Sequence, residues 1–173
     1  MKSKVFFVPV KDAGDIKTVS AALRDLIDAS KVLDCVRADD RVAVKIHFGE
    51  EGNTAFVNPA YVRIICDGIR RIGARAFLSD TNTLYKGRRT AASDHLQLAR
   101  EHGFTREATG VDNVITDDTK KENVTDVRVN GAHIKTAKIA RVFTDADALV
   151  AVTHFKGHMI TGFGGAIKNL GMG

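Results

Sequence analysis

The stretch Val42-Ala43-Val44-Lys45-Ile46-His47-Phe48 decides the fold of this chain. Large apolar side chains occupy every second position, and this period of two predicts a strand with one apolar face. Lys45 and His47 project from the opposite face. The later Asn58-Pro59 predicts the start of a helix, because asparagine is a strong N-cap and proline suits the first helical position. A strand followed by a helix is the repeating unit of a parallel sheet.

The alternation of strand and helix continues on both sides of this stretch. Towards the N-terminus we predict a strand over Lys4 to Val10 and a helix from Ile16 to about Ala29, capped by Asp15. Towards the C-terminus the patterns predict strands over 74–78, 111–116 and 148–152, a helix over about 91–102, and a short helix or turn over 142–146. Asn130-Gly131 predicts a tight hairpin turn. The predicted fold class is α/β: a single domain over residues 1–173 with a mostly parallel, Rossmann-like sheet, helices on both faces and an antiparallel hairpin insertion.

The composition is that of a globular domain with a mild excess of positive charge. Hydrophobic residues make up 44% and charged residues 27% of the 173 residues, and the formal net charge is +5. Aromatic residues make up 6% and there is no Trp, so we expect no stacking platform for nucleic acid. The sequence shows neither a signal peptide nor an apolar run long enough to cross a membrane, so we expect a cytoplasmic protein without membrane contact. The positive charge favours an anionic small molecule or an acidic partner.

A glycine-rich segment follows the last predicted strand. It runs from Thr161-Gly162-Phe163-Gly164-Gly165 to Lys168-Asn169 and is expected to open a short helix. Glycines let the backbone approach a ligand closely, and free N–H groups at a helix start attract anions. We therefore expect an anionic or metal-bearing ligand here. Because the chain ends at Gly173 soon after this segment begins, we expect a truncated chain; a natural chain end is the alternative.

Polar residues follow three predicted strands at their carboxyl ends, where open parallel sheets bind their ligands. If these strands are neighbours, the polar residues converge. The candidate ligand-binding residues are Lys45, His47, Asp80, His154, Lys156, His158, Gly162, Gly164, Gly165, Lys168 and Asn169.

Several of these residues have an ordinary structural alternative. Asp80 is also typical of a turn or a helix N-cap, and His47 of an exposed surface position. His47, His154 and His158 are candidate ligands of a divalent metal, and a hydrogen-bonding role beside the ligand is the alternative. The remaining histidines are interpreted as surface residues: His95, His102 and His133. Glu50 and Glu51 fit a solvated loop, although a carboxylate beside His47 could tune its pKa.

Other sequence features exclude common kinds of site. The glycine segment lacks the spacing of a dinucleotide-binding fingerprint, and the chain has neither a P-loop nor a nucleophile elbow. A standard nucleotide enzyme is therefore disfavoured. Cys35 and Cys66 are the only cysteines, and Cys66 lies in an apolar run that predicts a buried thiol. This chain alone therefore holds no iron–sulfur cluster or structural zinc through cysteine.

The residues around these strand ends resemble the domain of unknown function 362 family. The resemblance runs from about Arg41 to the end of the chain, and its most specific part is Lys156, His158, Lys168 and Asn169. Many relatives carry Asn in place of His47 and Lys in place of His154, so these two positions mark a subgroup. In that subgroup a ferredoxin-like module follows, and the resemblance implies 4Fe–4S clusters in the full-length protein.

A second resemblance concerns the glycine loop. His158, Gly162-Phe163-Gly164-Gly165 and Lys168 are similar to a segment of nickel-pincer lactate racemases, which has Ser in place of Gly164. This similarity implies a loop that can surround an anionic, metal-bearing ligand.

Three hypotheses for function follow. The leading one is a redox-associated ligand-binding or catalytic domain of an iron–sulfur protein, served by a redox partner. The alternatives are a non-redox domain that binds phosphate or carboxylate, and a structural subunit of a redox complex. Whether the chain is an enzyme stays open at this point.

Overall fold

Three parallel strands form the centre of the molecule, in the order β2-β1-β5. The computed structural model describes residues 4–12, 14–117, 120–159 and 161–171. Its strands are β1 (Arg41–Ile46), β2 (Arg75–Ser79), β3 (Val124–Arg128), β4 (Thr136–Ala140), β5 (Ala148–Val152), β6 (Lys156–His158) and β7 (Gly162–Gly164). Its helices are α1 (Ile16–Ser30), α2 (Pro59–Arg71), α3 (Ala92–Glu101), α4 (Arg106–Thr109), α5 (Arg141–Thr144) and α6 (Ala166–Gly171).

The register of the three strands places their carboxyl ends side by side. Lys45 near the end of β1 lies opposite Ser79 of β2 and Ala151 of β5. Asp80 directly follows β2, and Thr153 directly follows β5. The polar residues after these strands therefore share one edge of the sheet.

The two faces of β1 bury different layers. Val42, Val44 and Ile46 belong to the larger core, which also holds side chains from α1, α2 and α3. Ala43 belongs to a smaller cluster on the opposite face, where it packs with Phe77, Ala140 and Val142. A strand covered on both faces is typical of a parallel sheet, because the flanking elements shield it from water.

The structure confirms the predicted α/β class and the predicted helices. The side chain of Asp15 accepts a hydrogen bond from the Thr18 N–H, and Asn58 caps α2 by accepting from the Ala60 N–H. The parallel pairing of β1 with β2 and β5 is also as expected. Among the described residues, no helix combines the length and the apolar character needed to cross a membrane.

Two predicted strands are wrong or shortened. Residues 4–12 contain no strand, and Val5 and Phe7 are 90% and 83% exposed. High strand propensity is not sufficient there, because a strand also needs a hydrogen-bonding neighbour, and residues 4–12 pair with none of the described strands. In the region 111–116, one parallel bridge joins Asn113 to Leu78 in place of a full strand.

The hairpin of β3 and β4 forms as predicted, but its turn does not. Residues 129–135 make a wider loop, which the Val129 N–H closes by donating to the Lys135 carbonyl at 2.9 Å. Neither Asn130 nor Gly131 has the positive φ that a two-residue type I′ turn requires. A second antiparallel ribbon, β6 with β7, was not predicted; it lies within the glycine-rich region.

Candidate functional site

Two adjacent cavities open at the carboxyl edge of the sheet. The lysine cavity, of about 50 Å³, is lined by His47, Ala55, Phe56, Thr153, His154, Lys156, Gly164, Gly165, Lys168 and Asn169. The arginine cavity, of about 190 Å³, is lined by Lys45, His47, Asp80, Thr81, Asn82, Thr83, Leu84, Tyr85, Arg89, Lys168 and Asn169. His47, Lys168 and Asn169 line both and form the wall between them. All the residues predicted for ligand binding line one of these cavities except His158 and Gly162.

Lys45 lies under the shared wall and is only 2% exposed. Its ammonium group forms an ion pair with Asp80 and donates to Asn169 Oδ1 at 3.1 Å. The Asn169 amide donates in turn to Thr153 Oγ1 at 3.0 Å and to the Lys45 carbonyl at 3.4 Å. Asn169 therefore joins α6 to the ends of β1 and β5.

Asp80 binds two cations and does not cap a helix. Its second carboxylate oxygen accepts from Arg89 Nη2 at 2.8 Å, and the residue is 3% exposed. Burial by itself would raise the pKa of Asp80, but Lys45 and Arg89 outweigh burial and hold that pKa below its usual value. The alternative of a simple turn residue is thus incorrect, and α3 begins only at Ala92.

Arg89 is the centre of the network beside the arginine cavity. Besides Asp80, its guanidinium contacts Glu50, whose carboxylate also accepts from the Tyr85 hydroxyl at 2.6 Å. The guanidinium Nε donates to His95 Nε2 at 3.1 Å. The Arg89 side chain is 7% exposed, so its charge is buried but neutralised by two carboxylates.

His95 is fully buried, which corrects its interpretation as a surface residue. Because arginine only donates, Nε2 of His95 must accept, and the ring proton lies on Nδ1. Nδ1 is 3.3 Å from Asn82 Oδ1, and the Asn82 amide donates to the Thr116 carbonyl at 2.8 Å. Burial is the largest cause that lowers the pKa of His95 to about 4, so the ring is neutral near pH 7.

The other two histidines interpreted as surface residues differ in exposure. His102 is half-buried: its ring stacks on Phe56 at 4.6 Å between centroids, and its Nδ1 lies 2.8 Å from the Phe48 carbonyl. That interpretation is therefore wrong for His102. His133 is exposed in the loop between β3 and β4, as expected.

His47 lies just past the end of β1, with donors at both ring nitrogens. The Gly49 N–H donates to Nδ1 at 2.9 Å, and Arg89 Nη1 lies 3.2 Å from Nε2. Burial is the largest cause that lowers the pKa of His47 to about 4, and the Arg89 charge lowers it further. Gly49 cannot be replaced without strain, because its φ is +98° and a Cβ would lie 2.6 Å from the Phe56 ring.

The lysine cavity has a different electrostatic character. Lys156 and Lys168 are half-buried, and the ammonium group of neither makes a hydrogen bond or an ion pair among the described residues. Asp and Glu are missing from the described residues that line the cavity. Gly164 leaves room for the lysine stem, since a Cβ there would lie 3.2 Å from Lys168 Cδ. The cavity therefore presents positive charge that the described part of the chain does not neutralise.

His158 and Gly162 pair with each other across the ribbon of β6 and β7, away from the lining of both cavities. His158 Nδ1 accepts from the Thr161 N–H at 3.2 Å. In the part of the chain that the structure describes, no group of three His, Cys, Asp or Glu side chains is arranged to hold a metal ion. The guanidinium of Arg89 lies where a metal ion would have to lie to contact all four of His47, Glu50, Asp80 and His95.

The sequence reasoning missed Arg89, Tyr85 and the inward orientation of His95. Arg89 and Tyr85 lie in an irregular segment before α3, where no periodicity marks an inward residue. His95 carries a usable signal: it precedes the buried Leu98 and Ala99 by three and four residues, the spacing of one helix face. The cysteine prediction is confirmed, since Cys66 is buried and burial raises the pKa of its thiol to about 12.

A comparison with protein families places residues 42–173 in the family described as Domain of unknown function (DUF362). The chain belongs to this family. The matched region begins at the start of β1 and includes both cavities, so the site lies within the part that the family shares. Comparison with curated proteins gave no match, and neither did comparison with solved structures.

Proposed function

We propose that this DUF362 domain binds a small ligand with a carboxylate or phosphate group in the lysine cavity. The observation that carries the proposal is the pair of half-buried lysines, Lys156 and Lys168, which have no acidic partner among the described residues. A partly buried charge without a partner costs free energy. An anionic ligand would supply the missing charge and form short, charge-assisted hydrogen bonds with the ammonium groups.

The neighbouring groups suit such a ligand. Thr153 and Asn169 bring uncharged polar atoms to the same lining, and Phe56 and Ala55 bring an apolar surface. A few polar groups on a partly apolar wall are typical of small-molecule sites. The low pKa of His47, about 4, keeps that ring neutral near pH 7, so it adds no charge.

Thermal-shift measurements test this proposal. Inorganic phosphate and acetate should raise the melting temperature with increasing concentration, because a ligand that binds the folded state stabilises it by mass action. Chloride at matched ionic strength should give no comparable shift. Lys156→Gln and Lys168→Gln should each weaken the response, whereas Lys17→Gln, an exposed lysine of α1 that lines neither cavity, should retain it. Equal responses in all three variants would refute the proposal.

Four finer hypotheses from the sequence pattern and the family resemblance stay predictions. These are the Rossmann-like arrangement, the cytoplasmic location, the 4Fe–4S clusters of the intact protein and a redox partner. The absorption spectrum of the intact gene product tests for the clusters. A divalent metal at His47, His154 and His158 also stays a prediction; a metal-specific thermal shift that His158→Ala abolishes would support it.

A further inference from the structure

The surroundings of His47 contain a hydrogen-bonding conflict that the protein does not resolve. A backbone N–H and an arginine guanidinium can only donate, and they face Nδ1 and Nε2 of the same ring at 2.9 and 3.2 Å. A neutral imidazole has one acceptor nitrogen and one N–H. Whichever nitrogen carries the proton, one N–H of the ring therefore points at another donor.

The geometry favours the proton on Nε2. The contact between the Gly49 N–H and Nδ1 is the shorter of the two, and it joins residues two positions apart in a turn that the positive φ of Gly49 defines. Nε2–H then needs an acceptor. Glu50 Oε1, the nearest carboxylate oxygen, is 3.6 Å away, beyond a normal hydrogen bond, and it already accepts from Tyr85 and Arg89.

The unmatched donor lies where a ligand can reach it. His47 lines both cavities and is 31% exposed. Lys168, one of the two lysines without a partner among the described residues, belongs to the same shared wall. A ligand whose anionic group contacts Lys168 at this wall is therefore within the same lining as His47.

We propose that the Nε2–H of His47 and Arg89 Nη1 together bind an uncharged carbonyl oxygen of the ligand at the shared wall, next to the anionic group that Lys168 holds. The ligand class is thus the small oxo acids, in which a carbonyl group adjoins a carboxylate. This inference rests on the proposed anion binding and extends it to a second contact.

The local charges favour a carbonyl oxygen over a second anionic group. Arg89 is already paired with Asp80 and Glu50, so its own charge is neutralised before a ligand binds. A second carboxylate there would be repelled by Glu50 at close range. A carbonyl oxygen has two lone pairs and no proton, so it can accept from both donors at once.

Matched acids test the inference with the full chain. Pyruvate and propionate are both monoanions near pH 7, and they differ mainly in the carbonyl group. By calorimetric titration we expect wild type to bind pyruvate roughly tenfold more tightly than propionate, the effect of a hydrogen bond with a charged or strongly polarised donor. His47→Phe removes one of the two donors and should reduce this ratio several-fold towards one, the ratio itself correcting for any change in binding of the carboxylate. His47→Gln, which retains a donor, should keep part of the ratio, and His133→Gln, an exposed control, should keep all of it.

A measurement on wild type avoids any dependence on folding of the variants. In nitrogen-15 NMR spectra the Nε2–H resonance of His47 should move when pyruvate is added and stay unchanged with propionate. Equal affinities of the two acids in wild type, or an unchanged ratio in His47→Phe, would overturn the inference while anion binding stands. If phosphate binds but neither acid does, the inference is wrong while the proposed anion binding stands. If neither the acids nor phosphate bind, the proposed function fails with it.

Discussion

The two cavities at the carboxyl edge share a wall, but their positive charges are treated in opposite ways. In the arginine cavity, Lys45 and Arg89 are almost fully buried and both contact Asp80. In the lysine cavity, Lys156 and Lys168 are half-buried and have no acidic partner among the described residues. The first set of charges is complete without a ligand, and the second is not.

This difference separates a structural role from a binding role. Buried charges that form ion pairs with one another hold the side chains of the cavity wall in place. Removing one member leaves its partners buried without a counter-charge. Charges left without a partner at a cavity raise the free energy of the empty state and so favour a ligand of opposite charge. We therefore expect substitutions in the two cavities to change different measured quantities.

Asp80→Asn should have the largest effect, and on stability. It leaves two buried cations without their shared carboxylate, which is expected to cost about 3–5 kcal/mol in the free energy of unfolding. Chemical denaturation measures this loss. Asp126→Asn is the matched control, since Asp126 forms an exposed pair with Lys138 at 3.0 Å and should cost at most about 1 kcal/mol. Similar losses in the two variants would contradict the assigned role of Asp80.

Lowering the pH should reduce the stability of the folded protein through His95, which lies beside the arginine cavity. The pKa of His95 is about 4 in the folded protein against 6.5 as the ordinary value. Between these pH values the unfolded chain binds more protons, so stability falls as pH is lowered through this window. The slope for one group reaches about 1.4 kcal/mol per pH unit.

The control for this pH effect is His95→Gln. In this variant the slope of the unfolding free energy against pH, between pH 6.5 and about 4, should decrease by up to the contribution of one bound proton. The low pKa of Asp80 acts in a different range, since its contribution is present above the ordinary value of 3.8 and is lost below it. An unchanged slope in His95→Gln would mean that other groups cause the acid sensitivity.

Lys168→Gln should reverse the pattern of Asp80→Asn. Stability should change by less than about 0.5 kcal/mol, as for most substitutions of partly exposed side chains without partners. Affinity for phosphate or carboxylate should fall about tenfold, because a charge-assisted hydrogen bond is lost. Titration calorimetry combined with chemical denaturation separates the two quantities. A stable variant with unchanged affinity would assign the anion to a different place.

Gly164→Ala should have the smallest effect and tests the shape of the lysine cavity. The added Cβ would lie 3.2 Å from Lys168 Cδ, so the lysine stem must shift by a few tenths of an ångström. We expect affinity for the anion to fall a few-fold, or about 0.5 kcal/mol, with stability nearly unchanged. Gly157→Ala is the control, because a Cβ there meets no heavy atom within 4 Å.

The sequence could predict the place of the site in the fold but not which of its charged side chains contact one another. On the condition that the strands are neighbours, the pattern of β1 and the polar residues after β2 and β5 predicted that His47, Asp80 and His154 lie at one edge, and all three line the cavities there. These patterns could not show that Asp80 binds both Lys45 and Arg89, since Arg89 lies in a segment without periodicity. His158 satisfied the same sequence argument as Lys156, yet its side chain lies outside the lining of both cavities.

The features that could be predicted from residue spacing are local: the caps at Asp15 and Asn58, the apolar face of β1 and the short helix after the glycine segment. These features depend on spacing and on contacts between near neighbours in the chain. Tertiary structure alone decided whether Lys4 to Val10 forms a strand and which charges are neutralised. Both depend on partners distant in the chain, because a strand needs hydrogen bonds to a neighbouring strand and a buried charge needs a counter-charge within a few ångströms.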